Sequence, residues 1–245
     1  MGGSYLARHI LRKDLKRDAI RDGVMRGAES VASHQKILWA VVGAALVIAL
    51  AVFGWNSYSR RQTVRAAAAL QDAMETYQAR IRVVGEMPES GETTYLDDKN
   101  KYTDAERKFL DVTQRFGRTR PGQLARYYAA LCEVRLKQFD AAENNLKQLE
   151  SVGDEGLAGL AKFQLAGVYV ETGKGAQAAE LYKQLADQPT LFVPKALALL
   201  SLADYYRKND PEQASKIYNQ VKQDFPDSPA AEQADKGLEL LNAKT

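Results

Sequence analysis

Cysteine and histidine are scarce in this chain of 245 residues, which contains one cysteine, Cys132, and two histidines, His9 and His34. A disulfide framework needs paired cysteines, so the sequence excludes one. Zinc sites draw mainly on Cys and His, so we expect no metal site of this kind. Cys132 lies in an apolar helical context, where a single cysteine usually serves as a small core side chain.

The sequence also lacks the patterns of common catalytic sites. It has no glycine-rich phosphate loop, because its glycines are scattered over turns and the apolar run. His9 and His34 are 25 residues apart, without paired acids, so no nucleophile–base arrangement is supported. The acidic pair Asp97-Asp98 falls in a predicted loop and is expected to be solvated. We therefore predict that the chain is not an enzyme and has no cofactor and no small-molecule substrate.

Charge is unevenly distributed along the chain. Residues 1–36 contain eight basic and four acidic residues, whereas the 190 residues after position 55 contain 26 basic and 27 acidic residues. The net charge of +3 therefore comes from a short basic tail. A nearly neutral main domain argues against binding to nucleic acid.

One stretch lacks polar residues almost completely. Residues 37–55 contain no charged residue and no Asn, Gln, Ser or Thr. As a helix, nineteen residues cover about 28 Å, close to the ~30 Å hydrocarbon core of a bilayer. Trp39 and Trp55 lie at its two ends, where amphipathic rings anchor a helix at the membrane interfaces. The sequence predicts a transmembrane helix over residues 37–55.

Two other interpretations compete with a membrane anchor. A buried helix of a soluble domain would need apolar neighbours on every face, and no other part of the chain is as apolar. A cleaved signal peptide normally has a shorter basic region and an apolar stretch of ~7–15 residues, followed by small residues at the cleavage site. Here the small residues around Leu50 lie inside the run. An uncleaved anchor is favoured.

Basic residues on the two sides of the run predict its orientation. Residues 17–36 contain four and residues 56–75 contain three, and the whole tail 1–36 contains eight. The positive-inside rule therefore places the tail in the cytoplasm and the large C-terminal part across the membrane. Whether this tail also binds anionic lipid or a ribosome-side partner stays open.

Four related segments follow residue 100. In each, an alanine is followed four and seven residues later by large apolar residues, and successive alanines are 37, 36 and 36 residues apart. The four sets are Ala105/Phe109/Val112, Ala142/Leu146/Leu149, Ala178/Tyr182/Leu185 and Ala214/Tyr218/Val221. A second amphipathic segment precedes each of the last three, so the repeating unit is predicted to be a helix–turn–helix.

The remaining segments complete the predicted architecture. Residues 62–84 are expected to continue as a helix from the membrane and to supply the first helix of the first hairpin, and residues 85–101 are expected to form a loop. Ser228 and Pro229 predict the start of a capping helix. The predicted fold class is all-α, with one N-terminal transmembrane helix followed over residues 102–245 by an α-solenoid of about four helical hairpins.

A solenoid of this kind binds partners on the concave surface formed by the first helices of its hairpins. From the repeat alignment, the side chains expected to face this surface are Tyr127, Arg135, Phe163, Tyr206 and Arg207. Aromatic and arginine side chains are common anchors of interfaces. Packing within the repeat itself is the alternative role for each aromatic residue.

The repeat resembles the tetratricopeptide repeat (TPR), with an unrelated array of α-hairpins as the alternative. The residues that carry the resemblance are Leu165, Ala166, Tyr169, Gly173, Ala178 and Tyr182 in the third unit and Tyr205, Ala214, Tyr218 and Pro226 in the fourth. The whole arrangement of basic tail, span and TPR array resembles the YfgM family of bacterial inner-membrane proteins. The tail is longer and more basic than is usual in that family.

The resemblance to the YfgM family implies a periplasmic TPR domain beside the SecYEG translocon. It implies an ancillary subunit that contacts exported chains or periplasmic chaperones. The segments 115–131 and 224–234 also resemble units of periplasmic TPR proteins of the BamD and YbgF types, which makes a general scaffold for envelope assembly or cell division the second hypothesis. A third hypothesis reverses the topology and describes a receptor similar to mitochondrial import receptors, with its repeats in the cytosol.

Overall fold

The structure is a computed structural model that describes residues 12–83, 85–87 and 93–243, with side chains from Trp39 onward. The chain divides into two compact units after Arg60. The elements are α1 (Arg12–Gln78), β1 (Arg80–Ile81), β2 (Thr94–Tyr95), α2 (Asp98–Phe116), α3 (Arg120–Arg135), α4 (Phe139–Lys147), α5 (Glu155–Glu171), α6 (Gly175–Asp187), α7 (Lys195–Asn209), α8 (Pro211–Asp224) and α9 (Pro229–Asn242).

The first unit consists, in its described part, of α1 up to Arg60. The predicted span 37–55 lies within this helix, which is long and apolar enough from Trp39 onward to cross a membrane. All its described side chains from Trp39 to Asn56 are exposed, and Trp39 and Trp55 are 67% and 73% exposed. A core helix of a soluble domain would be mostly buried, so this exposure favours a membrane anchor.

The second unit is an array of helical hairpins. Residues 61–78 of α1 pack against α2, and the pairs α3/α4, α5/α6 and α7/α8 follow. The alanines aligned by the repeat, which lie on α2, α4, α6 and α8, all have 0% exposure. The absence of a longer side chain lets each of these helices lie close to its partner, and the apolar residues four and seven positions later fill the core. The predicted all-α solenoid is confirmed.

Side-chain caps explain where several helices begin. Asp97, Thr119, Asp154, Asp210 and Ser228 each accept a hydrogen bond from the backbone N–H three residues later. The last of these starts α9, which packs against α7 and α8 and presents charged and polar residues on its outer side. Helix α9 therefore covers part of the last described hairpin.

The connection between α1 and α2 differs from the prediction. The helix expected to reach residue 84 ends at Gln78, and β1 pairs in parallel with β2 inside the segment expected to be a loop. The Tyr95 hydroxyl donates a hydrogen bond to Asp104 (3.1 Å), which fixes β2 against α2. With β2 in this position, the backbone N–H of Arg82 donates to the carbonyl of Tyr95 at 2.9 Å. This strand pairing competes with continuation of the helix. Because Asp97 caps α2, that helix also begins at Asp98 rather than at residue 102.

Aromatic rings join α1 to the first repeats. The ring of Tyr77 on α1 lies 5.8 Å from Tyr102, 6.0 Å from Phe109 and 5.5 Å from Tyr128, centroid to centroid. Phe109 and Tyr128 are stacked at 5.5 Å. Contacts of this kind add about 0.5–1.5 kcal/mol per pair to the burial of apolar surface. They fix residues 61–78 as part of the solenoid core.

Two helices end in the same turn but with different residues. The N–H groups of Gly173 and Lys174 bond to the carbonyls of Val170 and Tyr169, and Gly173 has a φ of +75°. This is the Schellman ending, in which a left-handed residue follows the helix. Thirty-six residues earlier, Lys137 takes the same position after α3, with a φ of +60° and equivalent bonds. A side chain in this conformation costs about 1–2 kcal/mol, which glycine avoids.

A polar network is buried inside the second hairpin. Glu133 on α3 is only 2% exposed, and Asn145 on α4 donates to both of its carboxylate oxygens, at 2.8 and 3.0 Å. Arg126 in turn donates to the Asn145 side-chain oxygen at 3.4 Å. Burial raises the pKa of Glu133, an effect to which the nearby Glu106 adds.

We expect Glu133→Gln to change how stability depends on pH. Because the pKa of Glu133 is raised in the folded state, its ionised form destabilises the fold above that pKa. This penalty disappears as the pH falls toward 4.5, the ordinary value for the carboxyl group. The variant should be more stable than wild type near neutral pH, and the difference should shrink on acidification. Thermal unfolding of the full chain in detergent, followed by circular dichroism, measures this.

The exposed Glu180, changed to Gln, is the matched control, because it removes the same charge without removing a buried one. A constant difference between Glu133→Gln and wild type across the pH range would contradict the assignment.

Candidate functional site

A groove with a volume of about 720 Å³ lies between α5 and α7 in the second unit. We call it the α5–α7 groove. Its walls are the C-terminal halves of α5 and α7, which are the first helices of two neighbouring hairpins. The first helices of the hairpins are expected to form the binding surface of a solenoid. Its lining includes Gly167, Val170 and Glu171 on α5, Gly175 and Tyr182 on α6, and Asp204, Tyr205, Arg207 and Lys208 on α7.

Charged groups of both signs line the groove. Asp204 accepts a hydrogen bond from the Tyr218 hydroxyl at 2.7 Å and lies 3.6 Å from Nε of Arg207. Nε of Arg207 is buried and has no hydrogen-bond partner among the described residues. Glu171 stands on the opposite wall and is exposed. The groove can therefore make hydrogen bonds and ion pairs with both acidic and basic groups of a partner.

Aromatic residues form an apolar part of the lining. The ring of Tyr205 covers Gly175 so closely that a Cβ atom at that position would overlap the Tyr205 hydroxyl. Burial raises the pKa of Tyr182 to about 12, with a further contribution from Asp204. Its hydroxyl therefore stays protonated at neutral pH and remains a hydrogen-bond donor.

Gly167 leaves open space in the wall of the groove. It lies in the C-terminal half of α5, and a Cβ atom placed there would meet nothing within 4 Å. Glycine within a helix costs about 0.5–1 kcal/mol relative to alanine. No contact in the described structure requires this glycine, so the open space is available to another molecule.

Three of the five predicted surface residues lie at or beside this groove. Arg207 lines it, and Tyr206 is half-buried with its ring 5.2 Å from that of Tyr205. Phe163 is half-buried and packs edge-on against Tyr182 at 5.8 Å, so it supports the groove from behind. Phe163 and Tyr206 therefore contribute to packing within the repeats.

The other two predicted residues lie elsewhere. Tyr127 on α3 is half-buried, with its ring 5.6 Å from that of Tyr128, and burial raises its pKa to about 12. Arg135 is exposed at the end of α3, with its guanidinium 6.0 Å from the centre of the Tyr102 ring. The structure therefore does not bring the five residues together on one surface.

Several groove residues were not identified from the sequence. These are Gly167, Val170, Glu171, Asp204 and Lys208. The repeat alignment identified large side chains, whereas part of the groove wall is formed by Gly167, which has no side chain. A glycine in the middle of an otherwise strong helix-forming segment was the available signal.

Metal binding has no support in the described residues. No group of three or more His, Cys, Asp or Glu side chains in this part of the chain could hold a metal ion.

Comparison with protein families agrees with the architecture. The profile of the tetratricopeptide repeat-like domain matches residues 32–190, and that of a tetratricopeptide repeat matches residues 197–228. Helical hairpins with a groove between their first helices define a protein-interaction solenoid. Since the first profile covers more than half of the chain, the protein belongs to the tetratricopeptide repeat-like domain family. Searches of curated proteins and of solved structures found no match.

The family match also covers the apolar run. It begins before Trp39 and ends after α6, so it includes the membrane-anchor candidate and three hairpins. The second match corresponds to α7 and α8. TPR families are typically non-enzymatic interaction scaffolds, and the coarse functional class follows from this membership.

Two glycine substitutions should have opposite effects on stability. We expect Gly167→Ala to stabilise the fold by about 0.5–1 kcal/mol, because alanine favours a helix and its methyl group meets no neighbour. Gly175→Ala should destabilise it, because the methyl group would displace the Tyr205 ring. Urea unfolding of the full chain in detergent measures both. Destabilisation by Gly167→Ala would mean that the wall at this position is already occupied.

Proposed function

We propose that this protein is a non-enzymatic, membrane-anchored scaffold that binds a segment of a partner protein in the α5–α7 groove. The observation that carries this proposal is Gly167, because an open position on an interior turn of a helix costs stability without serving any contact in the described structure. Close approach of another chain gives that glycine a role.

The chemistry of the groove suits a polypeptide. Tyr182, Tyr205 and Val170 offer apolar surface, while Glu171, Asp204 and Arg207 can pair with polar side chains or backbone groups. A peptide provides apolar groups, charges, N–H donors and carbonyl acceptors in one molecule. The proposed partner is therefore a protein rather than nucleic acid or a small metabolite.

The proposed location is the inner (cytoplasmic) membrane of a bacterium. The basic tail 1–36 is proposed to lie in the cytoplasm, the span 37–55 in the bilayer, and the repeats in the periplasm. Resemblance to the YfgM family supports a role as an ancillary subunit of the SecYEG translocon. In that role the groove would hold an exported chain or a periplasmic chaperone.

Site-directed crosslinking tests both the groove and the partner. A photoreactive amino acid at Gly167 should crosslink a partner in membranes, whereas the same amino acid at the exposed Lys183 on α6 should not. Gly167→Trp should prevent capture from a second photoreactive site at Lys208, because the indole fills the groove. Lys183→Trp is the matched control.

The identity of the crosslinked proteins separates the functional hypotheses. Translocon subunits, exported chains or periplasmic chaperones support the proposed role. Recovery of envelope-assembly or cell-division proteins alone would replace it with the general scaffold. Equal crosslinking from positions 167 and 183 would reject the groove as the binding site.

A reporter fused after residue 245 tests the topology. We expect activity of a reporter that functions only in the periplasm, because the tail holds more basic residues than the segment after the span. A reporter that functions only in the cytoplasm provides the reciprocal control. Activity of the cytoplasmic reporter alone would favour the receptor with cytosolic repeats.

A further inference from the structure

A second depression lies where α2 meets the end of α3, and it is separate from the α5–α7 groove. Its volume is about 470 Å³. Its lining includes the basic residues Lys99, Arg135 and Lys137, and Asp98 is the acidic one. We call it the basic depression. The lining therefore has a positive excess on a domain in which the two signs otherwise balance.

The charges of this depression are largely uncompensated. In the described part of the chain, the ammonium groups of Lys99 and Lys137 make no hydrogen bond or ion pair, and both side chains are exposed. Asp98 lies 3.9 Å from Nζ of Lys101, a fourth cation whose ammonium is 4.7 Å from the centre of the Tyr102 ring. Asp98, the one acidic residue of the lining, is therefore paired with Lys101, which lies outside the lining.

Lys137 is held at this position against its conformational preference. It occupies the left-handed residue of the Schellman ending of α3, where the next hairpin has Gly173. Glycine would satisfy the same backbone hydrogen bonds without the steric cost. Strained residues persist mainly where function requires them. The lysine therefore places an ammonium group beside the depression at a conformational cost that glycine would avoid.

The shape of the depression favours carboxylates on a protein segment. Tyr102 and Leu136 provide an apolar wall, and Thr103 and Gln138 provide hydrogen-bonding groups beside the three cations. We propose that the basic depression binds an acidic segment of a partner protein, with its Asp or Glu carboxylates paired to Lys99, Arg135 and Lys137. This site acts independently of the α5–α7 groove.

A binding measurement on the full chain in nanodiscs of neutral lipid tests the proposal. The probe is a short fluorescein-labelled peptide in which Glu alternates with Ala and Leu, and the comparison peptide has Gln in place of Glu. Wild type should bind the Glu peptide saturably, more weakly as salt is raised, and should not bind the Gln peptide. Lys137→Gly and Arg135→Gln should each weaken binding about tenfold.

Lys137→Gly separates binding from folding. It should raise the melting temperature, because glycine relieves the left-handed strain, so weaker binding cannot be attributed to misfolding. Lys137→Arg keeps the charge and should retain binding, and Lys183→Gln removes an exposed charge elsewhere and should leave binding unchanged.

Two results would overturn the proposal. One is wild-type affinity for the Glu peptide in both Lys137→Gly and Arg135→Gln. The other is the absence of peptide binding together with capture of anionic phospholipid vesicles that depends on Lys137, which would assign the depression to a lipid headgroup.

Discussion

Close contact between paired helices at an alanine is the constraint on which the rest of the solenoid depends. In each of the four hairpins this alanine is fully buried. A larger side chain would push the helices apart and disturb the packing of Phe109, Leu146, Tyr182 or Tyr218 behind it. The spacing of the two helices within each hairpin therefore follows from four small residues.

The periodic part of this architecture could be predicted from the sequence. Alanine followed by large apolar residues at fixed intervals identified the second helix of every hairpin, and the apolar run identified the anchor candidate. The alanine pattern is repeated and the apolar run is long, so each prediction is supported by many residues at once. The cap at Ser228 was recognisable for a different reason, since Ser-Pro before an apolar pattern starts a helix in a known way.

Features that depend on contacts between distant residues could not be predicted in this way. The end of α1 at Gln78 depends on a backbone partner supplied by Tyr95, which Asp104 holds in place. The binding surface presented a related difficulty. Tyr127, Phe163 and Tyr206 have side chains typical of interfaces, yet all three are half-buried, and the open wall at Gly167 involves no side chain at all. Residue type indicated what a side chain can do, but the packing decided where it lies.

The last helix has a consequence for self-association. A solenoid whose final hairpin exposed its apolar side could stack on another copy and continue the array as a filament. Helix α9 covers α7 and α8 and turns Glu232, Asp235, Lys236 and Glu239 outward. Stacking at this end would bury several charged side chains, and removing them from water is costly. Because α9 lies over α7 and α8, association of a second copy through this face is disfavoured.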